Sequence, residues 1–226
     1  LMDRYEGEAV PAASTLGAKL KAMGLVRARR RRARGVNERG ALTKADRANS
    51  VWAVDFKGWF RTGDGRRCDP LTISDLASRY ILCCQIVARQ SYEAVRPVFE
   101  EVFEQYGMPE VIRVDNGTPF GSVGPGGLSR LSVWWLSLGI KPEFIEPGCP
   151  EQNGVHERMH RTLKAETTRP SAGNVRAQQK RMERWRRHFN EERPHEALGQ
   201  KVPAAFYEPS QRRYGRIKIE QKYGEG

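Results

Sequence analysis

Two short apolar runs constrain this chain more than any other feature. VWAVDF at 51–56 and EVIRVD at 110–115 are rich in β-branched and aromatic residues, and each holds a carboxylate near its end, Asp55 and Asp115. Runs of this length and composition read as buried strands, so the chain needs a sheet with cover on its faces. An acid inside such a strand faces solvent at an edge, is buried and satisfied by hydrogen bonds, or ligates a metal.

The surrounding segments supply the sheet and its cover. CDPLTISD (68–75) and YILCCQIV (80–87) read as two more strands, with glycines and charges at 58–67 forming a hairpin. SYEAVRPVFEEVFEQYG (91–107) reads as a helix, with Val95, Val98, Val102 and Tyr106 on one face, Pro97 bending it and Gly107 ending it. A Gly-rich loop containing Pro125 (121–127) precedes an apolar helix near 128–138, and KPEFIE (141–146) reads as a strand. Two basic helices follow, at about 151–168 and 174–191, and a short helix is expected earlier, over 14–23. Three strands, then alternating helix and strand, then helices give an α/β fold, a mixed sheet with helices on its faces. Trp134, Trp135, Trp185 and Phe189 are expected to pack in the core.

Charge narrows the partners. The formal net charge is +12 and the isoelectric point about 9.9, which favours a polyanion, nucleic acid above all. RARRRRARG at 27–35, with Arg30 and Arg31 at its centre, is either a phosphate-contacting arm or a solvated tether. Arg181, Arg184, Arg186 and Arg187 form a second basic patch with the same two readings. Cys68, Cys83, Cys84 and Cys149 have no CxxC spacing and read as small core or surface residues of a reducing compartment. No apolar stretch reaches membrane-spanning length and no signal peptide is visible, so a cytoplasmic location is expected. The chain begins at Leu1, as a piece of a longer chain would.

CPEQNGVHERMHRTLKAE at 149–166 has two readings. His156-Glu157-x-x-His160 fits the HExxH of zinc peptidases, but the downstream candidates for a third ligand, Glu166 and Glu183, lie in no diagnostic setting. Alternatively Glu157 is one carboxylate on a basic helix, sharing a face with Arg161 and Lys164. Acids from two strand ends and a helix can converge, and such a set of hard oxygens suits Mg²⁺ or Mn²⁺.

In order, WAVDFKG, VIRVDNGTPF, PEQNGVHERMHRTLKAE and FNEERPHEALG resemble the catalytic core of bacterial insertion-sequence transposases, over about residues 48–210. These belong to the DDE superfamily, with the retroviral integrases. The resemblance implies an RNase H-like fold, a mixed five-stranded sheet flanked by helices. It suggests a helix-turn-helix remnant and basic linker over 1–47, a catalytic core over 48–170, a helical extension over 171–213 and a tail over 214–226.

The same resemblance makes Asp55 and Asp115 the first two catalytic, metal-binding acids. Glu151 lies 36 positions after Asp115 and satisfies the D-x35-E spacing, whereas Glu157 lies three residues after the Asn153-Gly154 pair, where the family's acid stands. Glu157 is preferred, with the loop GSVGPGG accounting for the longer gap; its flanking histidines are then bystanders. Arg161 and Lys164 would contact DNA, or else pair within a solvated helix. Asn116, with Gly117, would shape the turn after Asp115 and touch DNA. Asp75 is assigned a turn or cap role, and His195, in a family signature, a role that packing explains as well as chemistry does.

The expected activity is polynucleotidyl transfer with two Mg²⁺ or Mn²⁺ ions: water cuts DNA at the element's end, and the freed 3′-hydroxyl attacks a target strand. The chain would act as a homo-oligomer on transposon-end and target DNA, at the nucleoid. A catalytically inactive DNA-binding remnant, an RNase H-like nuclease and the zinc peptidase are the alternatives.

Overall fold

The computed structural model describes residues 13–23, 41–122, 127–146, 149, 152 and 154–215. The chain divides into two units, Leu1–Val36 and Asn37–Gly226. The first contributes one described helix, α1 (Ala13–Ala22), on which Leu20 is exposed. Arg30 and Arg31 lie outside the described residues.

The second unit is built on a mixed sheet. Its strands are β1 (Val51–Phe56), β2 (Phe60–Arg61), β3 (Arg67–Asp75), β4 (Ile81–Val87), β5 (Val111–Val114) and β6 (Lys141–Phe144). Here β1 pairs antiparallel with β3, β3 antiparallel with β4, and β1, β5 and β6 run parallel. Phe56 pairs with Leu71 and Phe60 with Cys68, so four steps on one side match three on the other. The extra residue is a β-bulge at Gly58–Trp59, and β2 continues β1 beyond it. Six strands thus form five ribbons, which reconciles the count with the five expected.

Alternation along the strands assigns the two faces. Trp52, Val54, Leu71, Ile73, Ile112 and Val114 point to one face, under α2 (Tyr92–Tyr106) and α3 (Arg130–Ser137). The buried stripe of α2 is Val95, Phe99, Val102, Phe103 and Tyr106, whereas Val98 is half-buried. Phe99 and Phe103 insert between Trp52, Trp134 and Trp135 at ring separations of 5.1 to 6.4 Å. The opposite face carries α4 (Gly154–Thr167) and α5 (Val175–Glu191), where Met159 and Leu163 pack with Met182, Trp185 and Phe189 over Ile81 and Cys84.

The end of the described chain straps the sheet to its helices. After two short 3-10 turns, Tyr207 stacks on Tyr80 with centroids 4.4 Å apart. Ser210 N donates to Tyr106 O at 2.8 Å, and the Arg212 guanidinium donates to the carbonyls of Pro109, Leu138 and Gly139. Gly107, at φ 74°, leaves room for this strap, because a Cβ there would stand 2.5 Å from Ser210 O. Tyr214 packs against Phe103 and Trp134, so the core reaches into the segment expected to be a polar tail from residue 214.

Candidate active site

The second face of the sheet is polar at its centre. Asp55 shares the parity of Val51 and Ala53, and Thr72 and Ser74 that of the face under α4. Arg113 also points here; its Nε donates to Glu143 Oε2 at 2.7 Å and its Nη2 to Thr43 O at 2.6 Å, while Thr43 N donates to Glu143 Oε1 at 2.8 Å. This ion pair is buried, and both partners are held by further hydrogen bonds, as a pair out of water requires.

Register brings two acids together. Val51 pairs with Val111, Trp52 with Ile112 and Ala53 with Arg113, a constant offset of 60 positions. Continued two residues further, the same offset brings Asp115, the residue just after β5, alongside Asp55 near the end of β1. Each carboxylate is anchored by local backbone: Asp55 Oδ1 accepts from Phe56 N at 2.7 Å, and Asp115 Oδ1 from Gly117 N at 3.0 Å. A Cβ at Gly117 would lie 3.0 Å from Asp115 Oδ2, so a side chain there would crowd the acid. Asn116 Nδ2 donates to Ile145 O at 2.8 Å, tying this turn to the end of β6.

Two histidines dock α4 over these acids. Thr72, the cross-strand partner of Asp55, has its Oγ1 2.8 Å from His156 Nε2 and 2.6 Å from His160 Nε2, and donates to Asp55 O at 3.1 Å. With its one hydrogen on that carbonyl, the hydroxyl oxygen accepts from both imidazole Nε2–H groups. Ser74 Oγ, 2.9 Å from His156 Nδ1, is then the donor to it. Burial keeps both rings neutral, with pKa values lowered to about 3 for His156 and about 2 for His160. The two histidines are therefore neither a zinc pair nor bystanders: their Nε2 atoms are spent on one threonine, and they fix the helix.

Glu157 rides on the outer flank of this docked helix, three residues before His160, whose Nδ1 is 3.8 Å from Asp55 Oδ2. Burial, then the Asp115 charge, and to a smaller extent Glu157, raise the Asp55 pKa to about 7. Asp55 thus lies within electrostatic reach of both Asp115 and Glu157. Among the described residues no three His, Cys, Asp or Glu side chains are close enough as placed to hold an ion together. Glu157 is exposed and has rotamers to explore. Glu151 lies outside the described residues.

Other residues singled out in the sequence have structural duties. Asp75 accepts from Asn49 N at 2.7 Å and from Ser78 N and Oγ at 2.7 and 2.6 Å, closing the β3–β4 turn. Arg186 binds Glu183 and the carbonyls of Ile81 and Leu82, and Arg181 binds Pro170 O, so half of that basic patch is drawn into the fold. His195 packs on Phe189 at 4.5 Å. None of the four cysteines is in a disulfide. No described helix is long and apolar enough to cross a membrane. Sequence reasoning missed Thr72 and Ser74, whose hydroxyls carried no local signal beyond alternation in the strand.

Two family profiles described as "Integrase core domain" match residues 45–150 and 138–203. The uncharacterized 39.2 kDa protein of insertion element IS476 from Xanthomonas euvesicatoria is 30% identical over 188 residues, covering 80% of this chain and 51% of its own length. The uncharacterized 31.7 kDa protein of insertion element IS407 from Burkholderia multivorans is 29% identical over 191 residues, covering 81% of this chain and 64% of its own. The chain therefore spans about half to two thirds of these relatives. Among solved structures, the HTLV-2 integrase catalytic core domain in complex with magnesium (trimeric form) superposes with a TM-score of 0.55 at 13% identity, covering 71% of this chain and 97% of that one.

Proposed function

Since this chain belongs to the integrase core family, with a DDE-type catalytic core, we propose that it cuts DNA strands and joins them, with Asp55, Asp115 and Glu157 as its catalytic acids. The observation that supports this reading is the proximity of Asp55, on β1, to Asp115, one residue past the parallel strand β5, and to Glu157 on α4, whose charges both act on the Asp55 carboxyl. An acid that keeps its proton to about pH 7 because of burial and neighbouring carboxylates belongs to a donor set with too much negative charge. A hard divalent cation relieves that charge, so the residues present fit Mg²⁺ or Mn²⁺. Two such ions, when bound by these three acids, supply charge neutralisation at the phosphate and activation of the attacking hydroxyl.

The chain's own groups do the rest. Asp55 is held on β1 and Asp115 in the turn just after β5, and hydrogen bonds from Phe56 N and Gly117 N orient their carboxylates. His156, His160 and Thr72 hold α4 at a set depth, leaving Glu157 the shortest motion, a side-chain rotation. Arg161 and Lys164, on the same flank, bind the phosphates of the strand being cut, and Asn116, Arg30 and Arg31 add DNA contacts. The segment before the core is read as a remnant of a DNA-recognition domain. The chain acts as a homo-oligomer holding transposon-end and target DNA. The magnesium and the trimeric form of the HTLV-2 relative accord with this.

An oligonucleotide cleavage and joining assay in Mg²⁺ or Mn²⁺ tests the reading. Glu157→Gln is expected to lose both steps by at least about a hundredfold, the scale of removing one group that stabilises transition-state charge, while Glu151→Gln keeps them. Loss only in Glu151→Gln overturns the assignment of the third acid. Cut ends without joined product mark a nuclease, and DNA binding without either step marks an inactive remnant.

A further inference from the structure

Of the five tryptophans, Trp52, Trp134, Trp135 and Trp185 are at most 7% exposed, whereas Trp59 is 57% exposed. It stands four residues beyond Asp55, at the bulge where Gly58 takes φ 85°, just before β2 resumes pairing with β3. Its ring lies 5.3 Å from the Arg67 guanidinium carbon and 5.9 Å from that of Arg61. Both guanidiniums are held by the protein: Arg67 donates to both oxygens of Asp69 at 2.7 and 2.9 Å, and Arg61 to Gly65 O at 2.7 Å. The hairpin itself is pinned to the chain just after α4, with Gly63 N donating to Ala172 O and Asp64 N to Gly173 O, each at 2.9 Å.

Lys57 stands two residues from Asp55 and two from Trp59, within electrostatic reach of Lys164, Arg169 and the Asp55 carboxylate. None of Lys57, Lys164 and Arg169 has a carboxylate within 4.0 Å among the described residues. An exposed aromatic plane among fixed guanidiniums and uncompensated ammonium groups matches a ligand with flat faces and a chain of negative charge. A second copy of a +12 chain would oppose this charge, and an apolar partner would bury it.

We propose that Trp59 is a stacking platform for an unpaired nucleotide of the DNA strand flanking the acid centre, with Lys57, Lys164 and Arg169 binding its phosphates. The proposal rests on the DNA-joining reading above and adds a subsite to it. The base must be unpaired, since a duplex hides the faces of its bases in its own stack. The strand therefore frays beside the scissile phosphate, and the indole replaces the lost stacking.

Because the other tryptophans are buried, quenching of fluorescence by acrylamide reports on Trp59. The test titrates the full 226-residue chain with a blunt duplex and with the same duplex carrying a frayed three-nucleotide end, in EDTA, following binding by fluorescence anisotropy of labelled DNA. Bound frayed DNA is expected to shield the exposed tryptophan, and Trp59→Phe to abolish that signal while keeping affinity. Trp59→Ala is expected to bind frayed DNA roughly tenfold more weakly and blunt duplex nearly unchanged. Frayed DNA that binds while Trp59 stays open to acrylamide, or a Trp59→Ala that loses both DNAs equally, overturns the platform and leaves the DNA-joining reading intact. Shielding that grows with protein concentration and no DNA assigns the surface to a second copy and also overturns it. Absence of binding to either DNA by the unaltered chain overturns both proposals.

Discussion

Thr72 joins three parts of the site through one oxygen: the two imidazoles of α4 and the backbone of Asp55. Replacing it with valine leaves two buried Nε2–H donors without an acceptor, at about 1–3 kcal/mol each. Thr72→Val is therefore expected to lose about 2–6 kcal/mol in urea unfolding and most of its strand joining, and Thr72→Ser to recover both. The titrating residues make a second prediction. Neutral in the fold and ordinary when unfolded, His156 and His160 make the unfolded state bind more protons below about pH 6.5. Their contribution is full above that pH and falls as pH drops, by about 1.4 kcal/mol per unit for each ring. Asp55 has the opposite sign: its fold holds a proton up to about pH 7, so stability falls as pH rises between about 4 and 7. Asp55→Asn without divalent ions is expected to be more stable than the unaltered chain at pH 8 and to lose stability more steeply from pH 6.5 to 4, read from urea midpoints across pH. The two aspartates were legible in the sequence because a charge inside an apolar run is conspicuous. The work of the histidines was not, since their partners sit 82 to 88 residues away and a hydroxyl leaves no mark on a hydrophobic pattern.

Helix α4 gathers these residues into one device. His156, Met159, His160, Leu163 and Thr167 form its buried seam, and Glu157, Arg161 and Lys164 stand on the exposed flank. Its inner side thus sets position while its outer side meets the ligand. Removing two phosphate contacts, as Arg161→Ala/Lys164→Ala does, is expected to weaken DNA binding at low salt and flatten the dependence of log K on log salt by roughly two. Anisotropy titrations across a salt series read that slope, and an unchanged slope would remove both residues from the interface. At this scale the sequence was most readable: each long strand and helix has a periodicity of its own, and the observed bounds fall within a few residues of those expected. What escaped is shorter or more remote. The β2 continuation depends on a single extra residue at the bulge, and Arg186 turned inward because the carbonyls of Ile81 and Leu82 offered acceptors that local pattern does not show.

Across the whole molecule, the sheet is completed by segments far apart in sequence. Asn49 receives hydrogen bonds from the Trp52 indole and the Tyr207 hydroxyl and gives one to Glu208 O, so the entrance to the first strand is closed by residues about 158 positions later. No hydrophobic period announces such a strap, which is why residue 214 was read as tail. During synthesis the consequence is temporal. The first aspartate leaves the ribosome long before the tyrosines that seal its strand, and a nascent chain halted before residue 206 has Asn49, Tyr80 and Tyr106 without their covering partners. Stalled chains of that length are expected to be cleaved quickly by protease, and chains carried past residue 214 to resist. Completion of the sheet that carries the acids is thereby deferred until the strap has been made.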